Sequence, residues 1–436
     1  MISPARVAAY DALRAVSRSA ADLPHALARV RAHLSDERDR ALAGEVVTGS
    51  LRWQAAFDHV IADFARRPTA KLDPEVLDIL RTSLFQLLHL DRVPASAVVS
   101  DAVNLTRKVG KSSAAPLVNA LLRRVSRERQ RLPLPPRPED PSGDRKAVLD
   151  YFSITLSHPR WLVERWLDRY GFEATERWLM FNNLPARLTI RANRLKTTVE
   201  QLVIALEKHD VRVERGRYGP DALIVVQGNP LATPLADEGL FVVQDEASQL
   251  VAQMVKAMPG DRVLDACASP GGKTTAIAAA MNDRGLIVAS DIRDKRLDLL
   301  ARTVQLAGPS SVRIVRADAA GPLPFAERFD WVLLDAPCSG LGTLRRDPDI
   351  KWRRTEADLP ALAASQQRML RETARVLRPG GHLVYSTCSS EPDENEDVVH
   401  ALVEEAALEP ADVPVLRTYP FSHGLEAFFA AVLIKA

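Results

Sequence analysis

Apolar residues recur at helical spacing over the first 130 or so positions. Val7, Ala8, Leu13 and Val16 follow Pro4, and Leu27, Val30 and Leu34 continue the pattern. Asp73-Pro74 introduces Val76, Ile79, Leu80, Leu84, Leu87 and Leu88, a strongly apolar helix. Val98, Val99, Val103 and Leu105 predict another, as do Leu117, Val118, Leu121 and Leu122. No strand-like alternation interrupts them, so residues 1–132 read as an all-α bundle. Pro133, Pro135, Pro136, Pro138 and Pro141 then make 133–145 a stiff, exposed linker.

The period changes further on. Tyr151 to Asn183 is helical, with Trp161, Trp166 and Trp178 expected in a core rather than stacked on bases. Arg187 to Arg191 alternates, Val199 to Lys208 is helical, and Val211 to Glu214 and Ala222 to Gln227 alternate again. This β-α-β-β pattern makes 146–238 a helical segment plus a small, RRM-like α+β module. It lacks the aromatic strand signature of an RNA-recognition motif and is expected to be a spacer or guide. From Gly239 to Ala436, candidate strands at 262–266, 286–291, 312–317, 330–335, 381–387 and 428–434 alternate with helices. That alternation predicts a doubly wound α/β domain with a largely parallel sheet.

Bulk properties add exclusions. At 46% hydrophobic and 26% charged, the 436-residue chain is an ordinary multidomain globular protein. Three cysteines without a paired framework fit a reducing, cytoplasmic setting, and no CxxC pair or histidine cluster suggests a metal. No secretory signal is visible at the amino terminus, and no apolar run approaches the ~20 residues of a membrane span. Net charge is only +2, but its distribution is uneven. Between Asp101 and Arg131, eight basic residues (Arg107, Lys108, Lys111, Arg123, Arg124, Arg127, Arg129 and Arg131) face only Asp101 and Glu128. Such a stretch neutralises phosphates or forms a solvated helix face. The histidines, among them His25, His59 and His89, show no partner in the sequence and are expected to be structural or exposed.

Each cysteine follows a predicted strand. Cys267 comes after Arg262-Val-Leu-Asp265, Cys338 after Trp331-Val-Leu-Leu-Asp-Ala-Pro337, and Cys388 after His382-Leu-Val-Tyr-Ser-Thr387. Ligands of open α/β sheets bind beyond the carboxyl ends of strands, so the three thiols are expected at one crevice. Asp265-Ala-Cys-Ala-Ser-Pro-Gly-Gly-Lys-Thr274 is a strand end, a glycine turn and a helix start. A phosphate loop would need glycine where Cys267 stands, which disfavours an ATPase. A nucleoside site needs an acid closing the second strand for the ribose hydroxyls, and Asp291 is there. Asp318 closes the third strand, where the base of the nucleoside would lie.

Asp335-Ala-Pro-Cys338 supplies a carboxylate that can meet a base edge. Beyond it, Leu344-Arg-Arg-Asp-Pro-Asp-Ile-Lys-Trp-Arg-Arg354 reads as a basic loop on the same rim, placed to pin substrate phosphates. Ser390-x-x-Asp393 resembles a capping box, which would put Cys388 near a helix amino terminus and favour its thiolate. Two thiols suit methylation of cytosine C5. A thiolate adding to C6 turns the ring into an enamine whose C5 attacks an electrophilic methyl group, and a second group assists release. A carboxylate such as that of Asp335 stabilises protonation at N3.

Asp-Ala-Cys-Ala-x-Pro-Gly-Gly-Lys, Asp-Ala-Pro-Cys-Ser-Gly-x-Gly and Tyr-Ser-Thr-Cys-Ser, in this order across 239–436, resemble the RNA 5-methylcytosine methyltransferases of the Sun or nucleolar-protein family. The resemblance implies a Rossmann-like class I methyltransferase domain. It also implies S-adenosylmethionine held by Cys267, Ala268, Ser269, Pro270, Gly271, Gly272, Lys273, Asp291, Asp318 and Asp335. Cys388 would be the nucleophile, with Cys338 promoting release and Asp335 assisting. The amino-terminal bundle is similar to the NusB antitermination-factor fold, an RNA and protein binder. Together the two point to the bacterial enzymes acting on small-subunit (16S) ribosomal RNA. No metal, membrane or obligatory protein partner is implied. Transfer RNA as substrate and a non-catalytic RNA-binding scaffold are the alternatives. One departure is Leu425-Glu-Ala-Phe-Phe429, where the family often carries Asp-Gly-Phe-Phe.

Overall fold

A computed structural model describes residues 2–325, 328–405 and 408–436. The chain divides into two compact units. The first comprises residues up to Pro185 together with Leu344–Arg354, and the second comprises Ala186–Thr343 and Thr355–Ala436. No described helix is long and apolar enough to cross a membrane.

In the first unit, helices α1 (Pro4–Ser17), α2 (Leu23–Arg31), α3 (Glu37–Arg52), α4 (Gln54–Ala65), α5 (Pro74–His89), α6 (Ala95–Lys108) and α7 (Ala115–Glu128) share one apolar core. Prolines at the first turns of α1, α5 and α7 remove N–H groups that would otherwise lack an acceptor. Leu13, Ile79, Leu80, Leu84 and Leu122 are wholly buried, as the helical spacing requires. Helix α8 (Arg160–Asn183) bends at Gly171, whose φ of 75° ends regular helical geometry there. Trp166 and Trp178 stack in its core at 4.2 Å, fully buried, as expected from the sequence.

The predicted phosphate-pinning loop 344–354 has a different role. Its Lys351 is buried in the first unit, where Nζ donates to the carbonyls of Arg52 and Ser157 (2.8 Å each) and to Asn183 Oδ1 (3.3 Å). Trp352 Nε1 donates to the Leu51 carbonyl, the Leu23 N–H donates to Asp349, and Arg345 lies over the Phe181 ring. The interleaved residues Lys351 and Trp352 are there to pack, and three acceptors satisfy the buried amino group, whose pKa is pushed well down by burial and by the Arg52 charge.

The second unit holds two sheets. The small one has the antiparallel order β2 (Arg212–Arg215), β3 (Ala222–Gln227), β1 (Thr189–Ala192), β4 (Phe241–Val243), with helix α9 (Val199–Glu207) capped by a Thr198/Gln201 box. The predicted β-α-β-β unit is present, and Phe241–Val243 adds a fourth strand through pairing with β1.

The large sheet centres on the parallel strands β5 (Arg262–Asp265), β6 (Leu286–Asp291), β7 (Val312–Arg316), β8 (Phe329–Asp335) and β9 (Leu377–Thr387), in the order 7-6-5-8-9. Short strands β10 (Glu409–Pro410) and β11 (Leu416–Thr418) and the longer β12 (Phe428–Ile434) complete it, with β12 antiparallel to β9. Val263, Leu264, Val332, Leu333, Leu383 and Val384 are wholly buried, which is why these strands read as continuous apolar runs. Helices α10 (Glu246–Met254), α11 (Gly272–Ala280), α12 (Asp294–Ala307), α13 (Leu359–Arg375) and α14 (Glu396–Glu404) accompany this sheet. Strand order reverses between β5 and β8, the place where such sheets open a ligand crevice.

Candidate active site

All predicted site residues lie at or just beyond the carboxyl ends of β5, β6, β7, β8 and β9. After β5 the chain turns through Gly271 (φ 104°) into α11. A Cβ at Gly271 would lie 2.9 Å from Leu300 Cδ1, so the tight turn and the close approach of α12 both call for glycine. Asp265 lies beneath this loop and accepts from Thr274 Oγ1 at 2.7 Å. Burial pushes its carboxyl up to about 7, with the charges of Asp335 and Asp291 adding to the effect.

That shift sets a stability trend. Between pH 4 and 7 the unfolded chain ionises at Asp265 while the folded chain keeps the proton, so this group lowers stability as pH rises through the window. The span is on the order of 4 kcal/mol. Asp265→Asn is expected to flatten this part of the denaturation profile, and an unchanged slope in chemical denaturation between pH 4 and 7 would rule the assignment out.

At the end of β6, Asp291 is 5% exposed. Its Oδ1 accepts from the N–H groups of Ile292 (2.9 Å) and Arg293 (3.4 Å). Oδ2 is buried without a hydrogen bond, with Arg296 at 3.7 Å. Asp318 is exposed beyond β7, its Oδ1 receiving the Ala320 N–H.

Lys273, in the first turn of α11, reaches Asp335 at the end of β8, with Nζ to Oδ2 2.6 Å. Asp335 Oδ1 accepts from Ser386 Oγ at 2.8 Å. Burial disfavours the ammonium, but the charge and hydrogen bond of Asp335 outweigh it and raise the Lys273 pKa, with Asp265 and Cys388 adding to the effect. The cation therefore stays charged within electrostatic reach of Cys388.

Cys338 Sγ and Cys388 Sγ are 3.2 Å apart. The hydrogen bond with Cys388, then burial and the charges of Cys388 and Glu394, push the Cys338 thiol up, so Cys338 keeps its proton. Cys267 is set differently. It packs against the apolar layer of the sheet, and burial together with the acids around it holds its thiol protonated. The structure thus joins two of the three thiols and gives Cys267 a packing role beside the loop.

The predicted helix start after Cys388 is absent. Ser390 Oγ donates to Glu391 instead of capping, a short 3-10 turn spans Pro392–Glu394, and α14 begins at Glu396. A buried carboxylate occupies the place of the expected cap. Glu394 is wholly buried, and its Oε1 accepts from the Ser339 N–H (2.8 Å) and Gln366 Nε2 (2.9 Å). Its Oε2 accepts from Ser339 Oγ and Ser389 Oγ, both at 2.5 Å. Ser339 and Ser389 each follow a cysteine, so one side chain fastens both thiol-bearing loops. Gly342 adds a backbone clamp, donating to the Cys388 carbonyl at 2.9 Å and leaving no room for a Cβ between the carbonyl oxygens of Ala427 and Cys388. Sequence reasoning missed Glu394 and Asp265. The acidic run Glu391-Pro-Asp-Glu394 was the available signal for the first, and it looks the same as a helix cap.

Among known proteins, the sequence-family model described as 16S rRNA methyltransferase RsmB/F matches residues 252–434. The NusB family model matches residues 3–127, and a ferredoxin-like domain of RsmF/B-like methyltransferases matches 158–232. The probable ribosomal RNA small subunit methyltransferase B of Bacillus subtilis is 35% identical over 374 residues, 85% of this chain and 81% of that protein. The chain belongs to this family of ribosomal RNA small subunit methyltransferases. The corresponding Synechocystis protein, also named as probable, is 35% identical with full coverage of both chains. The solved structure of PH0851 superimposes with a TM-score of 0.81 at 25% identity, over 100% of this chain and 99% of that one. A methyltransferase homologue from Pyrococcus horikoshii gives 0.60 at 28% identity, over 67% and 99%. The expected architecture of a NusB-like helical domain, a small α+β module and a Rossmann-like methyltransferase domain holds. Methyltransferases of this family use S-adenosylmethionine.

Proposed function

We propose that this protein methylates C5 of a cytosine in small-subunit ribosomal RNA through a transient bond between Cys388 and C6. The observation that carries the reading is the pair of thiols 3.2 Å apart beside the Lys273–Asp335 ion pair. Reactive cysteines need a nearby cation and partial exposure, and Cys388 has both. Its thiolate adds to C6 while N3 takes a proton from solvent, a proton that returns to solvent when the C6–S bond breaks. Each oxygen of Asp335 has one protein donor and retains acceptor capacity for an N–H on the base edge. S-adenosylmethionine, when bound, supplies the electrophilic methyl group. The C5 proton then passes to water, the C6–S bond breaks, and the Cys338 thiol hydrogen-bonds the departing sulfur. The target base must be unpaired or flipped to reach both thiols.

The residues fit the cofactor. Asp291 Oδ2 is a buried acceptor without a hydrogen bond, suited to a ribose hydroxyl. The β5–α11 loop, Cys267, Ala268, Ser269, Pro270, Gly271 and Gly272, with Lys273 at the start of α11, would form the rest of the cradle. Asp318, beyond the end of β7, would meet the base, and Asp335 would border the reacting group. Asp291→Ala is expected to weaken S-adenosylmethionine binding by on the order of ten- to a hundredfold in calorimetry, the worth of hydrogen bonds to a charged acceptor. Equal affinity would remove Asp291 from the site. The central test is methyl transfer to unmodified small-subunit ribosomal RNA, followed by mapping of the product base. Label at cytosine C5 is the expected result. Label at another base, or on transfer RNA alone, would overturn the reaction or the substrate respectively.

A further inference from the structure

The basic stretch of the helical unit sorts into two classes. Arg124 pairs with Glu128 (3.2 Å) and covers the Phe64 ring, Lys111 pairs with Asp73 (2.8 Å), and Arg129 stands 3.8 Å from Asp91. Arg107, Arg123 and Arg127 are exposed and have no carboxylate partner among the described residues. These three converge on one groove of about 460 Å³ between α6 and α7. No acid lines it, and Asp101 on α6 is taken up by Arg6 (2.6 Å) and the Ser3 N–H.

The groove has a regular build. Along α6 the polar groups Ser96, Ser100 and Asn104 recur every four residues. Along α7 Asn119, Arg123 and Arg127 do the same. Between the rows, Val99 and Val103 form an apolar floor. Asn119 Oδ1 accepts from Arg123 Nε at 3.0 Å and Asn104 Oδ1 accepts from Arg107 Nη1 at 3.4 Å, so each amide steadies one guanidinium. Four residues of helix rise about 6 Å, close to the repeat of successive phosphates in a nucleic-acid strand. Two rows of hydrogen-bonding groups at that repeat suit a linear polyanion, and arginine matches phosphate geometry.

We infer that the α6–α7 groove holds the phosphodiester backbone of the RNA substrate, outside the catalytic unit. This rests on the reading that the substrate is RNA, and it adds where the strand is held. The groove carries no base-reading aromatic group, so its contribution is to affinity and not to the choice of cytosine.

The test uses the full-length chain with Arg107→Gln, Arg123→Gln and Arg127→Gln combined. All three side chains are exposed, and an unchanged thermal midpoint checks the fold. Binding of a small-subunit ribosomal RNA fragment is measured against salt concentration. The slope of log K against log salt is expected to become shallower by about two to three, with S-adenosylmethionine affinity unchanged. An unchanged slope overturns the groove and leaves the proposed reaction standing. A shallower slope in an enzyme that methylates no RNA supports the groove and refutes the reaction. Poly-glutamate that binds wild type but not the triple variant, with the RNA slope the same in both, would make the groove a site for acidic peptides and overturn RNA as its occupant.

Discussion

Cys388→Ala is expected to reduce methyl transfer by roughly four orders of magnitude or more, the scale seen when a covalent nucleophile is removed. S-adenosylmethionine affinity should stay within about twofold, because the proposed cofactor cradle comes from the ends of β5, β6, β7 and β8 and the thiol comes from β9. Cys338→Ala should behave differently. Attack by Cys388 remains open to it, but the hydrogen bond that Cys338 offers the departing sulfur is lost, so an RNA–protein adduct should accumulate and survive denaturing electrophoresis. The two thiols are 3.2 Å apart, so distance alone does not separate their roles. Two thiolates in contact repel, so one of the pair attacks, and Cys388 is assigned that role because it lies within electrostatic reach of the Lys273 ammonium. An adduct with Cys388→Ala that vanishes with Cys338→Ala would reverse the assignment, and no adduct with either would remove covalent catalysis.

The catalytic fold was legible because its central parallel strands, β5, β6 and β8, are largely buried and announce themselves as apolar runs. Strands predicted at 286–291 and 428–434 form at those positions. The placement of the acids and cysteines was legible for a topological reason, since strands in one parallel sheet deliver their carboxyl ends to one edge. What escaped depends on distant partners. A basic, aromatic-bearing loop has the same sequence whether it meets RNA or folds inward, and the burial of Lys351 requires acceptors from Arg52, Ser157 and Asn183. Phe241–Val243 is too short to signal a strand without β1 beside it. The Ser390-x-x-Asp393 pattern satisfies a local capping rule, yet the neighbouring Glu394 finds four donors, three of them from residues far along the chain, and the loop follows those bonds.

Glu394→Ala should be among the most damaging substitutions outside the reacting groups. It leaves the Ser339 N–H and Gln366 Nε2 buried without their acceptor and frees both serine hydroxyls. The expected loss is about 3–5 kcal/mol of stability, typical of breaking a buried charged network. Glu394→Gln separates position from charge. The amide oxygen can keep the two N–H donors, while its NH2 faces two hydroxyls that are free to turn and accept. The fold should therefore largely survive in the glutamine variant. The negative charge that helps hold Cys338 protonated is lost, so the Cys338 pKa falls toward its ordinary value. If Cys338 must carry its proton for release, the alkaline limb of turnover moves to lower pH in the glutamine variant, with KM for RNA little changed. A glutamine variant with the wild-type pH profile would reduce Glu394 to a structural tie. An alanine variant as stable as wild type would show that the four hydrogen bonds do not hold the two cysteine loops together.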